Sequence, residues 1–433
     1  MSIYYNTLIV LLGTTLLGAN AGLIGSFTLL RGRALVGDAL AHAALPGLCL
    51  AFLWLGHRSL PAMLAGALAT GLIGIFLMTF LQSMTRTKID AAMGAVRSIF
   101  FGLGIVLISL IQGRTVEGSK AGLDSYILGK TAGMLASDVE LFAVVSVASL
   151  VSVVLLFKEF KVASFDPDFA RVQGWPAAVL DNAQMALAAV TTVMALPAVG
   201  AVMVAAMLIL PGAAMRFWTD RLSTMLGGAV VLGGLIGALG TLASAQFELL
   251  PAGPIIILVG TAMFFVSMLI APRRGLIARA AARANFRKLR RRQQLLLNLY
   301  EAAEAAGDSG RGLSAAQLAE RHVWSPAVTQ GTIDDARRLG IVAPRSAGGF
   351  ASSEEIRLTP AGGLEAMRVT RGYRLWESLL ETYPDHAGVV VDLDVAAIED
   401  HVPRELLEPL EETLRVQGRL PHWPPSPIGE VPR

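Results

Sequence analysis

Hydrophobic and polar positions divide this chain into two unequal parts. Up to about Ala271 it is a succession of long apolar runs separated by short polar or basic stretches. Each run is near the ~20 residues a helix needs to cross the hydrocarbon core of a bilayer. They fall near 7–29, 37–56, 60–82, 93–111, 138–157, 180–196, 199–215, 222–243 and 253–271, which predicts about nine crossings, to within one. The segment Leu196-Pro197-Ala198-Val199-Gly200 admits two readings, a tight extracytoplasmic turn or a kink in one long helix.

After Pro272 the pattern becomes that of soluble sequence. Between Arg279 and Arg292 lies a basic, helix-forming strip, expected to rest against anionic lipid headgroups and not on nucleic acid. QLLLNLYEAAEAA then has the spacing of an amphipathic helix, and Gly307–Arg311 that of a turn. Ser314 and Gln317 stand in capping-box spacing at the start of a short helix. Ser325-Pro326 opens a third helix running to about Arg338. Residues 339–342 and 355–358, joined through a glycine-rich stretch, suggest a two-stranded wing. The expected fold is therefore an all-α polytopic membrane domain followed by a soluble winged-helix and helical domain. Its boundaries read as 1–272 for the membrane part, 273–293 for a basic linker, 294–370 for a winged helix-turn-helix and 371–433 for a helical tail.

Composition agrees with a membrane protein: 54% of the 433 residues are hydrophobic and only 16% charged, against about 25% in a soluble domain. Charge adds orientation. Arg31 and Arg33, Arg86 and Lys88, Lys158, Lys161 and Arg171, then Arg216 and Arg221 fall in alternate loops, and Arg273 and Arg274 follow the last run. Placing them in the cytoplasm puts the N-terminus outside and the tail inside. Arg58 and the segment 114–130 depart from this pattern, the latter partly balanced by Glu117 and Asp124. The single cysteine, Cys49, rules out an internal disulfide framework and a cysteine zinc cage. The first apolar run lacks the basic flank of a cleavable signal peptide. GRTVEGSK, from Gly113, has the wrong order for a phosphate-cradling loop, so an ATP-driven machine would bind its nucleotide on another chain.

Two constellations carry chemistry. Asp38 and His42 sit inside the second apolar run, four residues apart, which sets a carboxylate and an imidazole on one helical face. Ionisable groups within a membrane span are expensive and mark ion pathways, proton relays or mutually satisfied pairs; all three uses are open here. Oxygen-plus-nitrogen ligation suits manganese, zinc or ferrous ions, and two ligands suit transit, since a cargo ion must also leave. Pro46 and Gly47 would loosen the helix one turn on. The second constellation is the loop at 158–176. Asp166-Pro167-Asp168 reads as a helix start, with Asp166 as N-cap. A short helix carrying Phe165 and Phe169 between two spans either rests on its own bundle or docks into a partner.

LRGRALVGDALAHAALPG, IDAAMGAVRSIFFGLGIVLIS, LDSYILGK, FDPDFARVQG, VGAVMVAAMLILPGAA and GPIIILVGTAMFFVSMLIAPRRG together resemble the membrane permeases of bacterial metal-ion ABC importers of the Znu, Mnt and Tro types. The resemblance covers nearly the whole membrane part. It implies a transport subunit that is not itself an enzyme, a permease homodimer or heterodimer, a cytoplasmic ATP-binding subunit and an extracytoplasmic metal-binding protein. It implies a divalent Mn2+, Zn2+ or Fe2+ ion as substrate and no resident cofactor. Asp38 and His42 fall on the motif implicated in the metal path. Phe165, Asp166, Pro167, Asp168, Ala170 and Gly174 fall in the ATPase-coupling region.

Across about 294–428 the tail is similar to the diphtheria-toxin-repressor family, with departures. Tyr373 stands where those repressors place a ligand histidine, Ala397 where they carry cysteine or glutamate, and Leu393 at an ancillary histidine position. Glu377, Asp400 and His401 remain as the expected donors of a weakened metal site. Three uses of the tail stay open: a docking or dimerisation module, a metal sensor, or a DNA reader. Asp334 and Asp335 on the third helix weigh against DNA. The alternatives to an ABC permease are an ion-coupled secondary transporter and a membrane-tethered metal-responsive regulator.

Overall fold

The computed structural model describes residues 2–57, 59–114, 129, 131–246, 251–344, 355–383, 398–399 and 402–425. Contacts divide the chain into two compact units, 1–279 and 280–433.

In the first unit the apolar runs become helices α1 (Ser2–Leu30), α2 (Val36–Leu55), α3 (Leu60–Met84), α4 (Ile89–Arg114) and α5 (Ala136–Leu155). Two short helices follow, α6 (Phe157–Phe165) and α7 (Pro167–Val172), then α8 (Ala177–Val199), α9 (Ala201–Met215), α10 (Leu222–Gln246) and α11 (Ala252–Ile270). Among the described residues, eight of these helices are long and apolar enough to cross a membrane; α9 is equally apolar but has 15 residues. At 1.5 Å per residue it reaches about 22 Å, short of the hydrocarbon thickness, and it packs among α1, α2, α10 and α11.

The two readings around Gly200 are decided in favour of a turn. Arg31 contacts Gln184 and Asn20 contacts Thr191, so α8 runs antiparallel to α1. A side chain at Gly18 would meet Met207, and one at Gly22 would meet Pro211, so α9 runs parallel to α1. The chain therefore reverses between α8 and α9. Gly200 makes the reversal at φ 89, ψ 155, a backbone conformation that side chains disfavour, while Pro197 is absorbed inside α8. Thr131 donates to the carbonyl of Ala198 at 2.7 Å and closes the same corner.

Small residues let the central helices touch along their backbones. A Cβ built on Gly18 would lie 2.1 Å from the Gly233 carbonyl oxygen, and the converse distance is also 2.1 Å. Thr14 and Thr241 share a hydroxyl hydrogen bond of 2.8 Å beside this contact. With no hydrophobic drive between helices in lipid, close packing of this kind and buried hydroxyl bonds hold the bundle. Cys49 is buried in the same interior, as its apolar setting implies.

The helix α12 (Leu276–Ala306) begins at the end of the first unit, and the second unit holds the rest of it with β1 (Leu313–Ser314), α13 (Ala315–His322), α14 (Pro326–Arg338), β2 (Glu355–Ile356), α15 (Pro360–Thr382) and α16 (Arg404–Val416). The basic strip and the amphipathic helix expected separately are one continuous helix, α12, because nothing between Arg279 and Ala306 breaks a helix. Ser314 and Gln317 form the expected reciprocal cap: the Gln317 N–H donates to Ser314 Oγ at 3.2 Å and the Ser314 N–H to Gln317 Oε1 at 2.9 Å. The expected pairing of 339–342 with 355–358 is present as a bridge, and a further segment, β1, joins it. β2 pairs antiparallel with β1, Leu313 opposite Ile356, and residues 339–342 contribute a single bridge, Val342 to Leu358.

α15 carries two cores in succession. Val369 packs with Leu295, Leu299, Tyr300, Leu318 and Ile333, whereas Leu375 and Leu379 pack with Leu407, Leu410 and Leu414. Arg374, between them, pairs with the buried Glu304 of α12 and donates to the Arg419 carbonyl at 2.6 Å. The Tyr300 hydroxyl donates to the His422 carbonyl at 2.8 Å; burial pushes its pKa up to about 12. A cleft of about 800 Å³ separates the basic half of α12 from the outer face of α14, lined among others by Lys288, Arg291, Arg292, Gly331 and Arg338.

Candidate functional site

Asp38 lies in the first turn of α2, where the helix N-terminus favours a negative charge. One turn on, His42 is buried and turns Nε2 toward Asp38 Oδ1 at 3.4 Å, a contact longer than an ordinary hydrogen bond. Its other nitrogen, Nδ1, is buried without a hydrogen-bond partner. Pro46 lacks the N–H that would otherwise bond the His42 carbonyl, which frees a backbone oxygen on the same turn. The face therefore presents carboxylate, imidazole and a helix carbonyl relieved of its usual partner.

A residue absent from the sequence-level reading completes this face. Arg97 of α4 donates Nη1 to Asp38 Oδ2 at 2.7 Å. α2 and α4 run side by side in step. Asp38 faces Arg97, the His42 ring meets Phe101 edge-on at 4.9 Å, and Gly104 lies against Leu45 and Pro46. The signal was present in the sequence, since Arg97 is the one ionisable residue of α4 between Asp90 and Arg114. An arginine alone in an apolar run needs a partner, by the rule that singled out Asp38. Among the described residues no group of three or more His, Cys, Asp or Glu side chains gathers anywhere.

A second ionic cluster ties α1 to α8. Arg31 Nη1 lies 2.7 Å from Asp181 Oδ1, and Arg33 Nη1 reaches both Asp181 oxygens at 2.8 and 2.9 Å. Arg31 also donates to Gln184 at 2.9 Å, and Gln184 in turn approaches the Phe160 carbonyl and Ser164 hydroxyl of α6 at 3.5 and 3.4 Å. The end of α1, the linker into Asp38 and the helix before α7 are thus joined by one network.

The second predicted constellation folds as read. Asp166 caps α7, accepting the Phe169 N–H at 2.9 Å, with Pro167 in the first turn. Asp168 is exposed and pairs with Arg171 at 2.8 Å. Gly174 takes φ +80 and ends the helix, and the Trp175 N–H reaches back to the Ala170 carbonyl at 3.0 Å. Ala170 and Phe160 are buried against the bundle, but Phe165 and Phe169 are 60% and 49% exposed, and Val172 beside them is exposed too. In the tail, Glu377 is exposed and pairs with Arg419 at 2.7 Å, so its carboxylate already has a cation. Asp400 and His401, with Leu393 and Ala397, lie outside the described residues.

A bundle of apolar helices with a carboxylate and an imidazole on its inner turns, a half-exposed guanidinium paired to the carboxylate, and a short exposed helix between two spans, defines a polytopic membrane transport protein. The chain belongs to the ABC 3 transport family, whose model matches residues 3–271. It is 36% identical over 416 residues to the manganese transport system membrane protein MntC of Bacillus subtilis, covering 96% of this chain and 93% of that protein, so the likeness extends through the tail. Over 268 residues it is 39% identical to the zinc transport system membrane protein TroC of Treponema pallidum, covering 62% of this chain and 90% of that one. Among solved structures it is similar to PsaBC from Streptococcus pneumoniae in complex with Fab. The TM-score is 0.55 at 30% identity, over 63% of this chain and 94% of that one.

Proposed function

We propose that the chain is the permease subunit of an ATP-binding-cassette importer that moves a divalent transition-metal ion, manganese, zinc or iron, across the bacterial cytoplasmic membrane. The observation that carries this reading is the Asp38–His42 face, with an imidazole nitrogen buried and unpartnered inside a membrane bundle. Family membership and the manganese and zinc systems named for its relatives support it. With α9 taken as a ninth, short crossing, antiparallel to both α8 and α10, the basic loops support an N-terminus outside and a tail in the cytoplasm. An extracytoplasmic metal-binding protein delivers the ion; Asp38 and His42 ligate it briefly, and a second permease copy or a sister subunit supplies further donors. ATP is bound and hydrolysed on a partner chain that grips the α6–α7 segment through Phe165, Phe169 and Val172. Its movement passes through α6 and the Gln184–Arg31–Asp181 network to the linker before Asp38. Each transport step is a shift between inward- and outward-open populations, biased by ATP on one side and cargo on the other.

The tail serves as a docking module of winged-helix type. The order helix, strand, helix, helix, strand in α12 to β2 supports that reading. Use as a DNA reader is disfavoured, because the basic half of α12 stands across the cleft from the outer face of α14, where a major groove would have to enter. A metal-sensing role would rest on Glu377, Asp400 and His401, and the first of these is held by Arg419.

Reconstitution of the permease with its ATPase and binding protein in liposomes tests the main reading. Asp38→Asn and His42→Ala should each abolish uptake of radioactive manganese or zinc while leaving the complex assembled. Uptake at the wild-type rate by both variants would remove the metal-path assignment.

A further inference from the structure

We propose that Arg97 is a resident counter-cation that occupies the Asp38 carboxylate whenever the cargo ion does not, so that metal is loaded and released by exchange with a guanidinium. The inference rests on the metal-path reading above.

Asp38 sits in the wall of an apolar bundle, its side chain only 17% exposed. A carboxylate in such a place, without a cation, carries a steep desolvation cost, and removing the metal would create that state in every cycle. Arg97 prevents it. Its guanidinium meets Asp38 Oδ2 at 2.7 Å, while Oδ1 remains turned toward His42 at 3.4 Å. The two oxygens are thus divided between the internal cation and the imidazole. Arg97 itself is 53% exposed, on a long flexible stem, so it is the partner free to swing away while the carboxylate stays in its helix. Guanidinium has no lone pair and cannot ligate a metal, so its action on the site is competition and repulsion only.

Charge decides both directions of the exchange. With Arg97 in place, carboxylate and guanidinium cancel. When a divalent ion takes the carboxylate, the displaced guanidinium remains tethered a short distance away and repels the ion, which promotes release. Selection follows from the same contest. To displace a charge-assisted hydrogen bond, an ion must gain from both Asp38 and the neutral imidazole, as first-row transition metals do. Sodium and potassium gain little from imidazole, and magnesium dehydrates reluctantly. A latch closed for roughly 90–99% of the time weakens apparent binding by about ten- to a hundredfold.

Titration of manganese(II) into the assembled permease–ATPase complex in lipid nanodiscs, followed by its electron paramagnetic resonance signal, reads the latch directly. Arg97→Gln should bind manganese at least about tenfold more tightly than wild type. In liposomes it should turn over more slowly, with weaker discrimination against magnesium. Arg97→Lys, which keeps the charge but loses the fork, should tighten binding by a smaller factor in the same direction. Asp38→Asn should abolish binding. If Arg97→Gln binds at wild-type strength or more weakly while Asp38→Asn abolishes binding, the latch is overturned and the metal path stands. If Asp38→Asn binds as wild type, the path itself fails. Should Arg97→Gln not assemble, Arg97→Lys decides alone: affinity no tighter than wild type overturns the proposal.

Discussion

Asp181 is the point where, in the coupling proposed above, a force on α7 would reach the proposed metal path, and its removal has a calculable consequence. Its carboxylate holds Arg31 at 2.7 Å and Arg33 at 2.8 Å, and the three side chains are only 16%, 13% and 14% exposed. Asp181→Asn keeps the shape but leaves two guanidinium groups without their counter-charge. Stripping one partner from a buried ion pair costs ~3–5 kcal/mol, and because both arginines share the same carboxylate the two losses do not add. The loss falls between α1 and α8, at the linker that leads into Asp38. Thermal unfolding of the complex in nanodiscs should therefore shift clearly downward, and metal transported per ATP hydrolysed should fall while hydrolysis itself persists. Arg33→Gln added to Asp181→Asn should recover part of the stability, since one stranded charge is gone. Unchanged melting together with an unchanged transport ratio in Asp181→Asn would refute the reasoning, because a buried carboxylate carrying no energy and no motion is not a link.

Three further outcomes follow from the packing. Gly18→Val places its side chain into the Gly233 carbonyl, 2.1 Å from the Cβ, so α1 and α10 must part; folded, monodisperse permease should be lost on size exclusion, while Gly71→Ala, in open space, should behave as wild type. Phe165→Asp with Phe169→Asp should release the ATPase in a pull-down without lowering the melting temperature of the isolated permease, because both rings are exposed. His322 accepts a hydrogen bond from Asn298 Nδ2 at 2.5 Å in its neutral form, and burial, helped by Arg321, lowers its pKa. The unfolded chain then takes up the proton first, near pH ~6.5, so tail stability is greatest above that value and declines as pH falls below it. Hydrogen exchange in α13 should report the decline, and His322→Gln should flatten it.

Much of this protein is legible in one dimension. The apolar runs mark nearly every crossing, though several helices begin a few residues before their apolar run, α1 at Ser2 and α4 at Ile89 most of all. Helix ends at Asp166, Ser314 and Pro326 follow from the residues that stand there, since caps and proline act on their immediate neighbours. Asp38 and His42 were also visible, as a charge where none should be. What remained hidden depends on partners far along the chain. The sequence around Gly200 permits a kink or a turn, and only the contacts of α9 with α1 choose the turn. The hairpin between 339–342 and 355–358 could be read from the sequence and is present as the Val342–Leu358 bridge, but the added ladder of 355–356 with 313–314 comes only from tertiary packing. Arg97 is an oddity in α4 until α4 lies beside α2 and its guanidinium meets Asp38. Hydropathy, capping and turn chemistry are local free energies that each segment carries by itself. Ion pairs across helices exist only once the helices are packed, and that pairing is a property of the whole bundle.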